Sequence, residues 1–125
     1  IGNVDLVTMK AFINEGDNGE RVVEKEIPAD LLEKAKEYRQ IMIGKLADID
    51  PVIEEKFLME EEPTIDEINK AIRVGTINLK LVPVLCGSAF KNKGVQRLMD
   101  AVCAYLPSPA EKKEHALDLN KNEEK

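Results

Sequence analysis

The chain has 125 residues, enough for one domain with its own hydrophobic core, and 43% of them are hydrophobic while 34% are charged. The formal net charge of -6 argues against a nucleic-acid-binding surface, because phosphate groups require a positively charged face. The charge is uneven: residues 1–62 carry 16 acidic and 8 basic side chains, a net of -8, whereas 63–125 carry 8 and 10, a net of +2. The acidic half is therefore better suited to a basic protein partner.

The cysteines and the apolar runs exclude several further classes of protein. Cys86 and Cys103 lack the paired spacing of a zinc site, and the chain has one histidine, so we predict no metal site. We expect both thiols to be buried as small hydrophobic groups in a reducing cytoplasm. No apolar run reaches the roughly 18 residues that a membrane span requires. The chain starts at Ile1 rather than Met, and we expect it to be part of a longer protein.

The N-terminal residues predict a β-hairpin. Residues 4–13 are rich in β-branched and apolar side chains and are predicted to form one strand. Residues 14–19 are dense in turn-forming residues, and the pair Asn18-Gly19 is a strong hairpin signal. A loosely alternating returning strand over 21–27 completes the predicted hairpin.

The most regular pattern is a helix from 29 to about 47, which follows Pro28. Its apolar side chains recur at helical spacing, so one face should pack against the core. The opposite face is polar and contains a mid-helix glycine, which costs about 1 kcal/mol relative to alanine but permits close approach by a partner. The predicted inward residues are Leu31, Ala35, Tyr38, Met42 and Leu46, and the outward ones are Glu33, Glu37, Gln40 and Gly44.

Two shorter helices are predicted next, and each has a recognisable cap. Asp50 precedes Pro51 and caps a helix that runs to about residue 59. Thr64 and Glu67 have the spacing of a capping box, in which each side chain bonds the other residue's free amide. The third helix is predicted to bury Ile65, Ile68 and Ile72 and to stop at Gly75.

The C-terminal part predicts a strand, a loop and a helix. Residues 79–86 regain strand character, and Pro83 within them lacks an amide hydrogen, which favours the edge of a sheet. The loop 87–93 leads into a fourth helix that Pro107 closes. Residues 110–125 are rich in Lys, Glu and Asn and are predicted to be a linker or a disordered tail. The apolar positions of the fourth helix are Val95, Leu98, Met99, Val102 and Leu106.

The strand, loop and helix resemble a known family. CGSAFKNKGVQ at 86–96 and LMDAVCAYLPSP at 98–109 are similar to the end of the GTP-binding domain of the bacterial elongation factor G family. VDLVTMKAF, EIPADLLEKAKEYRQ, EEKFL and AIRVGT stand upstream in that family's order, so the resemblance covers roughly 1–109. It implies an α/β fold with a small sheet in which 1–78 form an inserted subdomain, called G′, with an N-terminal β-hairpin and three consecutive helices. Residues 79–109 would be the last strand, the guanine-motif loop and the last helix of a P-loop-type GTPase domain.

The resemblance implies that Ser88, Ala89 and Phe90 match the last nucleotide motif of the family. Guanine carries a carbonyl where adenine carries an amino group, and a backbone N–H, which only donates, favours guanine. A mismatched buried polar pair costs on the order of 1–3 kcal/mol. We expect the Ala89 amide to contact the base, because the short side chain lets the main chain come close, and Ser88 to brace the loop. For Gly-Ser-Ala alone, a plain strand-to-helix turn is the simpler interpretation.

The other nucleotide motifs of the family are absent from this sequence. It contains no phosphate loop and no Asp-x-x-Gly motif, and Asn92-Lys93 is followed by Gly94-Val95 rather than completing Asn-Lys-x-Asp. Phosphoryl transfer requires phosphate clamps and Mg²⁺. The resemblance therefore implies a ribosome-dependent GTPase, with GTP or GDP and Mg²⁺, for the whole protein. For this chain alone we expect no catalytic residue and no cofactor.

The resemblance also implies a partner. In the family, the inserted subdomain meets the ribosomal stalk protein, whose C-terminal domain presents a basic helical face. We therefore expect this chain to belong to a cytoplasmic translocation factor and to dock on the ribosomal stalk through Glu33, Glu37 and Gln40. The rest of the parent GTPase would be its second partner. We expect neither membrane binding nor direct nucleic-acid contact from this chain. Three alternatives stay open: a solvated helix face without a partner, a ribosome-protection or peptide-release GTPase, and a stand-alone acidic interaction module without a nucleotide role.

Overall fold

The structure is a computed structural model that describes residues 2–16 and 18–111 and the backbone of 117–118 and 123–124. A three-stranded antiparallel sheet precedes three consecutive helices, an irregular segment and a fourth helix, which confirms the predicted α/β class. The predicted tail over 110–125 lies mostly outside the described residues. The elements in chain order are β1 (Gly2–Asp5), β2 (Lys10–Glu15), β3 (Arg21–Lys25), α1 (Ala29–Ala47), α2 (Pro51–Leu58), α3 (Ile65–Ile77), α4 (Val95–Tyr105), and the short pair β4 (Leu117–Asp118) and β5 (Glu123–Glu124).

The sheet has one strand more than the sequence predicted. The single strand expected over 4–13 is wrong, because the chain reverses at 6–9 and β1 pairs antiparallel with β2. The Asp5 carboxylate accepts a hydrogen bond from the Val7 amide at 2.8 Å, and Met9 adopts a left-handed conformation with φ 54°. This turn contains no Gly or Pro to mark it in the sequence. The β2–β3 turn was predicted correctly, and Gly19 occupies it with φ 65°.

Helix α1 has the predicted bounds but is rotated relative to its predicted inward face. Ala35 and Leu46 are buried as expected, whereas Leu31 and Tyr38 are exposed. The side chain that replaces them in the interior is charged: Arg39 is 9% exposed. The remaining buried residues of α1 are Ile43 and Ala47.

Arg39 is buried because it closes the β1–β2 turn. Its Nη1 donates to the carbonyl oxygens of Leu6 and Val7 at 2.6 and 2.8 Å, and its Nη2 contacts the Glu62 carboxylate at 3.1 Å. Each end of the guanidinium thus has an acceptor, which offsets the cost of removing the charge from water. Hydrophobic periodicity assigns arginine to the solvent, so it could not predict this rotation.

The core lies among α1, α2 and α3, centred on Ile53 and Ile68, which are fully buried. The predicted caps are confirmed: the Asp50 side chain accepts from the Val52 amide at 2.9 Å, and the capping box of α3 is complete. Two predictions for α3 are wrong, since Ile65 is exposed and the helix continues past Gly75. Gly75 instead admits Leu81, because a Cβ at Gly75 would lie 2.6 Å from Leu81 Cδ2.

Residues 79–86 do not form the predicted strand, because none of the described strands pairs with them. Most of their apolar side chains are exposed, although Leu81 is half-buried and packs against the core, and much of the apolar face of α4 is exposed as well. The prediction that Cys86 and Cys103 are buried is also wrong, and both thiols are exposed. Arg97 attaches α4 to the sheet through an ion pair with Asp5 and a position 4.1 Å above the ring of Phe12. In the described part of the chain, no helix has the length and hydropathy of a membrane span.

Candidate functional site

The loop between the irregular segment and α4 is closed by its own backbone. Ser88 and Lys93 exchange two hydrogen bonds of 2.8 and 3.0 Å, and the Asn92 amide donates to the Ala89 carbonyl at 3.0 Å. Asn92 has φ 46°, a left-handed conformation that asparagine tolerates better than most residues. Gly87 permits the closure, because a Cβ there would lie 2.6 Å from the Lys93 carbonyl oxygen. Residues 88–93 therefore form a small, hydrogen-bonded loop.

The three residues predicted to contact nucleotide lie together in this loop. Ser88 is half-buried at its base, Ala89 is exposed, and the Phe90 side chain is completely exposed. No described residue accepts a hydrogen bond from the backbone amides of Ala89 or Phe90. These two N–H groups are thus donors at the surface that can bond a ligand. Lys91, predicted to be a solvated charge, is exposed.

Side chains from the sheet hold this loop, and sequence analysis missed them. The Asn14 side chain on β2 bonds the Gly19 carbonyl at 3.1 Å and the Asn92 carbonyl at 3.4 Å, and it accepts from the Gly94 amide at 3.2 Å. The Asn3 side-chain Nδ2 donates to the Cys86 backbone carbonyl. Asn14 falls in the predicted turn over 14–19, where asparagine is common, so its residue type gives no signal of this role. Two of its partners, Asn92 and Gly94, are about 80 residues away, which no local pattern reveals.

The three residues predicted to contact a partner share one exposed face of α1. Glu33, Glu37 and Gln40 follow the i, i+4, i+7 spacing and are all exposed. Lys36 Nζ lies 2.9 Å from a Glu33 carboxylate oxygen, so this part of the acidic charge is paired. Gly44 is half-buried beside α2, because a Cβ there would lie 3.8 Å from the Phe57 ring. The open approach predicted at Gly44 is therefore not part of this face.

A cavity of about 380 Å³ adjoins the α1 face. It lies between the β1–β2 turn, α1 and the residues before α3, and Gln40 is at its edge. Thr8 lines the cavity, and its buried hydroxyl has no hydrogen-bond partner among the described residues. The face thus has both charge and a recess. Across 2–16 and 18–111, no group of three or more His, Cys, Asp or Glu side chains is arranged to hold a metal ion.

Comparison with known proteins places this chain within longer relatives. It is 77% identical over 124 residues to elongation factor G 2 of Bdellovibrio bacteriovorus, and the match covers 99% of this chain and 18% of that protein. It is 53% identical over 123 residues to elongation factor G 1 of Borreliella afzelii, and this match covers 98% of this chain and 18% of the relative. The chain therefore spans less than a fifth of the length of these curated relatives. No family model matches it.

A solved structure agrees with the sequence comparison. The crystal structure of a protein from Thermus thermophilus superposes with a TM-score of 0.75 at 29% sequence identity. The superposition covers 89% of this chain and 16% of the other. The resemblance predicted from the motifs is thus confirmed: over nearly its whole length, this chain is homologous to one segment of the elongation factor G proteins.

Proposed function

We propose that this chain works as part of a ribosome-dependent GTPase that moves tRNA and mRNA through the ribosome in the cytoplasm. Residues 1–78 would be the inserted G′ subdomain, which docks on the ribosomal stalk, and 79–109 would complete the GTPase domain. The tail from 110 would be a linker. GTP or GDP with Mg²⁺ would bind to the whole protein, whose remaining GTPase elements supply the phosphate and magnesium contacts. This chain would contribute no catalytic residue.

The observation that carries the nucleotide role is the pair of unbonded amides in a closed loop. The Ala89 and Phe90 N–H groups are unbonded within the described part of the chain, while Ser88 and Lys93 fix the base of the loop. A fixed backbone donor loses little conformational entropy when a ligand binds. It bonds the carbonyl of guanine and would face the amino group of adenine, a mismatch of about 1–3 kcal/mol. The loop therefore has the chemistry of a guanine reader.

The test uses the full-length protein that contains this segment and substitutes Ala89→Val. The branched side chain would keep the main chain from the base edge, so GDP affinity should fall by about tenfold or more. Because Ala89 is exposed, the thermal stability of the nucleotide-free protein should not change. Lys91→Ala, an exposed change in the same loop, is the control and should keep GDP affinity within about twofold.

Calorimetry with GDP and with ADP decides the outcome. We expect GDP to bind more tightly than ADP, and we expect Ala89→Val to reduce that preference. Equal binding of GDP and ADP would exclude the guanine role, and binding of neither nucleotide would favour a stand-alone acidic interaction module without a nucleotide role. If guanine binding is retained but translocation is absent, the ribosome-protection or peptide-release alternative applies.

A second function, docking on the stalk, is supported by the α1 face. Glu33, Glu37 and Gln40 are exposed on one side of the helix, and a cavity lies next to Gln40. A basic helical domain could place cationic side chains against the two glutamates and insert a small side chain into the cavity. Surface charges of this kind chiefly raise the association rate and weaken as salt increases.

The docking test compares two charge reversals of equal size. Glu33→Lys with Glu37→Lys should weaken binding of the stalk C-terminal domain by about tenfold at low salt, which is about 1.4 kcal/mol. Glu54→Lys with Glu55→Lys places the same charge change on exposed residues of α2 and should have a much smaller effect. Circular dichroism should match for both variants and the unaltered protein. Equal weakening of stalk binding by both pairs would indicate a general charge effect and would exclude the α1 face as the docking site.

A further inference from the structure

The β2–β3 turn is in direct contact with the backbone of the nucleotide-contact loop. Gly19 is buried at this contact with φ 65°. A Cβ added to Gly19 would lie 2.7 Å from the Asn92 carbonyl oxygen and 2.8 Å from the Lys91 carbonyl oxygen. Real Cβ atoms do not approach backbone oxygens so closely, and neither carbonyl is the end of a flexible side chain. The turn and the loop therefore touch only because residue 19 has no side chain.

Asn14 joins the turn, the loop and the start of α4 through one side-chain amide group. Its Nδ2 donates to the carbonyls of Gly19 and Asn92, and its Oδ1 accepts from the Gly94 amide. Gly94 is the N-cap of α4, so this contact fixes the point at which the loop enters the helix. The bonds of 3.1, 3.4 and 3.2 Å are individually modest, but they converge on a single side chain.

We propose that Gly19 and Asn14 are positioning residues for the guanine-contacting loop. The inference rests on the proposed function, and it assigns to the N-terminal sheet a role in nucleotide recognition. Neither residue belongs to the predicted nucleotide-contact set; both act through the backbone of 91–94. When the turn is displaced, the loop loses its support, and the Ala89 amide no longer keeps one orientation. The expected consequence is faster release of guanine nucleotide without loss of the fold.

Each position has a matched control in the same turn. Gly16→Ala places alanine at another glycine of positive φ, 94°, so it carries a comparable backbone strain. Its Cβ would meet the carboxyl end of Glu20, which can move aside, rather than the loop. For Asn14→Ala, the control is Asn18→Ala, a residue of the same type that is exposed. The difference in GDP release rate between each variant and its control measures the contribution of the contact with the loop.

The experiment measures GDP release and hydrogen exchange in the full-length protein. Gly19→Ala and Asn14→Ala should each accelerate release of a fluorescent GDP analogue by about tenfold, and the controls should stay within about twofold. Without nucleotide, hydrogen exchange of the peptide that contains 88–93 should accelerate in the two variants. Exchange in the peptide that contains Ile68 and Ile72 of α3 should be unchanged, which separates loop positioning from a general loss of stability.

The results distinguish this inference from the proposed function. If the unaltered protein fails to discriminate GDP from ADP, the proposed function fails and this inference fails with it. If it discriminates, but Gly19→Ala behaves like Gly16→Ala and Asn14→Ala like Asn18→Ala, only the positioning role is refuted. Should Gly19→Ala not fold, Asn14→Ala and its control decide the question by the same two measurements.

Discussion

The rotation of α1 predicts a large difference between two isoleucines that lie two residues apart. Ile43 is 3% exposed within the helical core, whereas Ile41 is 53% exposed. Ile43→Ala deletes three buried carbon atoms, which removes about 2.4 kcal/mol of transfer free energy at about 0.8 kcal/mol each. The cavity left behind raises the expected loss to about 3–4 kcal/mol. For Ile41→Ala, we expect less than about 1 kcal/mol, because half the side chain is already in water and alanine favours the helix by about 0.4 kcal/mol.

Urea unfolding followed by circular dichroism measures both free energies on the same helix. The predicted difference of about 2–3 kcal/mol corresponds to about 10 °C in melting temperature for a domain of this size. Both substitutions make the same chemical change, so differences in helix propensity cancel. Equal destabilisation by the two variants would refute the observed rotation of α1.

Two further predictions concern acid stability and the isolated chain. Hydrogen bonds from Lys56 and from the Thr64 amide lower the pKa of the Glu67 carboxyl from 4.5 to about 2. A lowered pKa stabilises the fold fully above about pH 4.5, and this contribution declines as the pH falls toward 2. Glu67→Gln should therefore reduce stability at pH 7 more than at pH 3, measured by urea unfolding. The isolated chain should hydrolyse no GTP and bind GDP weakly at best, and a micromolar dissociation constant by calorimetry would contradict the division of roles proposed above.

Local sequence signals predicted the helices well, because their caps act over three or four residues. Asp50 and the Thr64–Glu67 box are where the pattern placed them, and α1 has the expected bounds. The β1–β2 turn was missed because a carboxylate and a left-handed methionine form it without Gly or Pro. The face of α1 was misplaced because Arg39 is buried by carbonyls more than 30 residues away.

The candidate site also contains residues that the sequence could predict and residues that it could not. The motif containing Ser88, Ala89 and Phe90 could be identified because its residues are contiguous. The residues that hold it, Asn14 and Gly19, could not, because their role depends on a contact between distant segments. Residues 79–86 illustrate the converse case: β propensity favours a strand, but a strand needs a neighbour, and none of the described strands lies beside it.

The proposed role of the loop is tested most directly by a structure of the full-length protein with GDP bound. The account predicts that the Ala89 backbone nitrogen lies about 2.9 Å from the guanine carbonyl oxygen, the usual length of such a hydrogen bond. A separation above about 4 Å, or a loop whose Ala89 and Phe90 amides face away from the base, would contradict it.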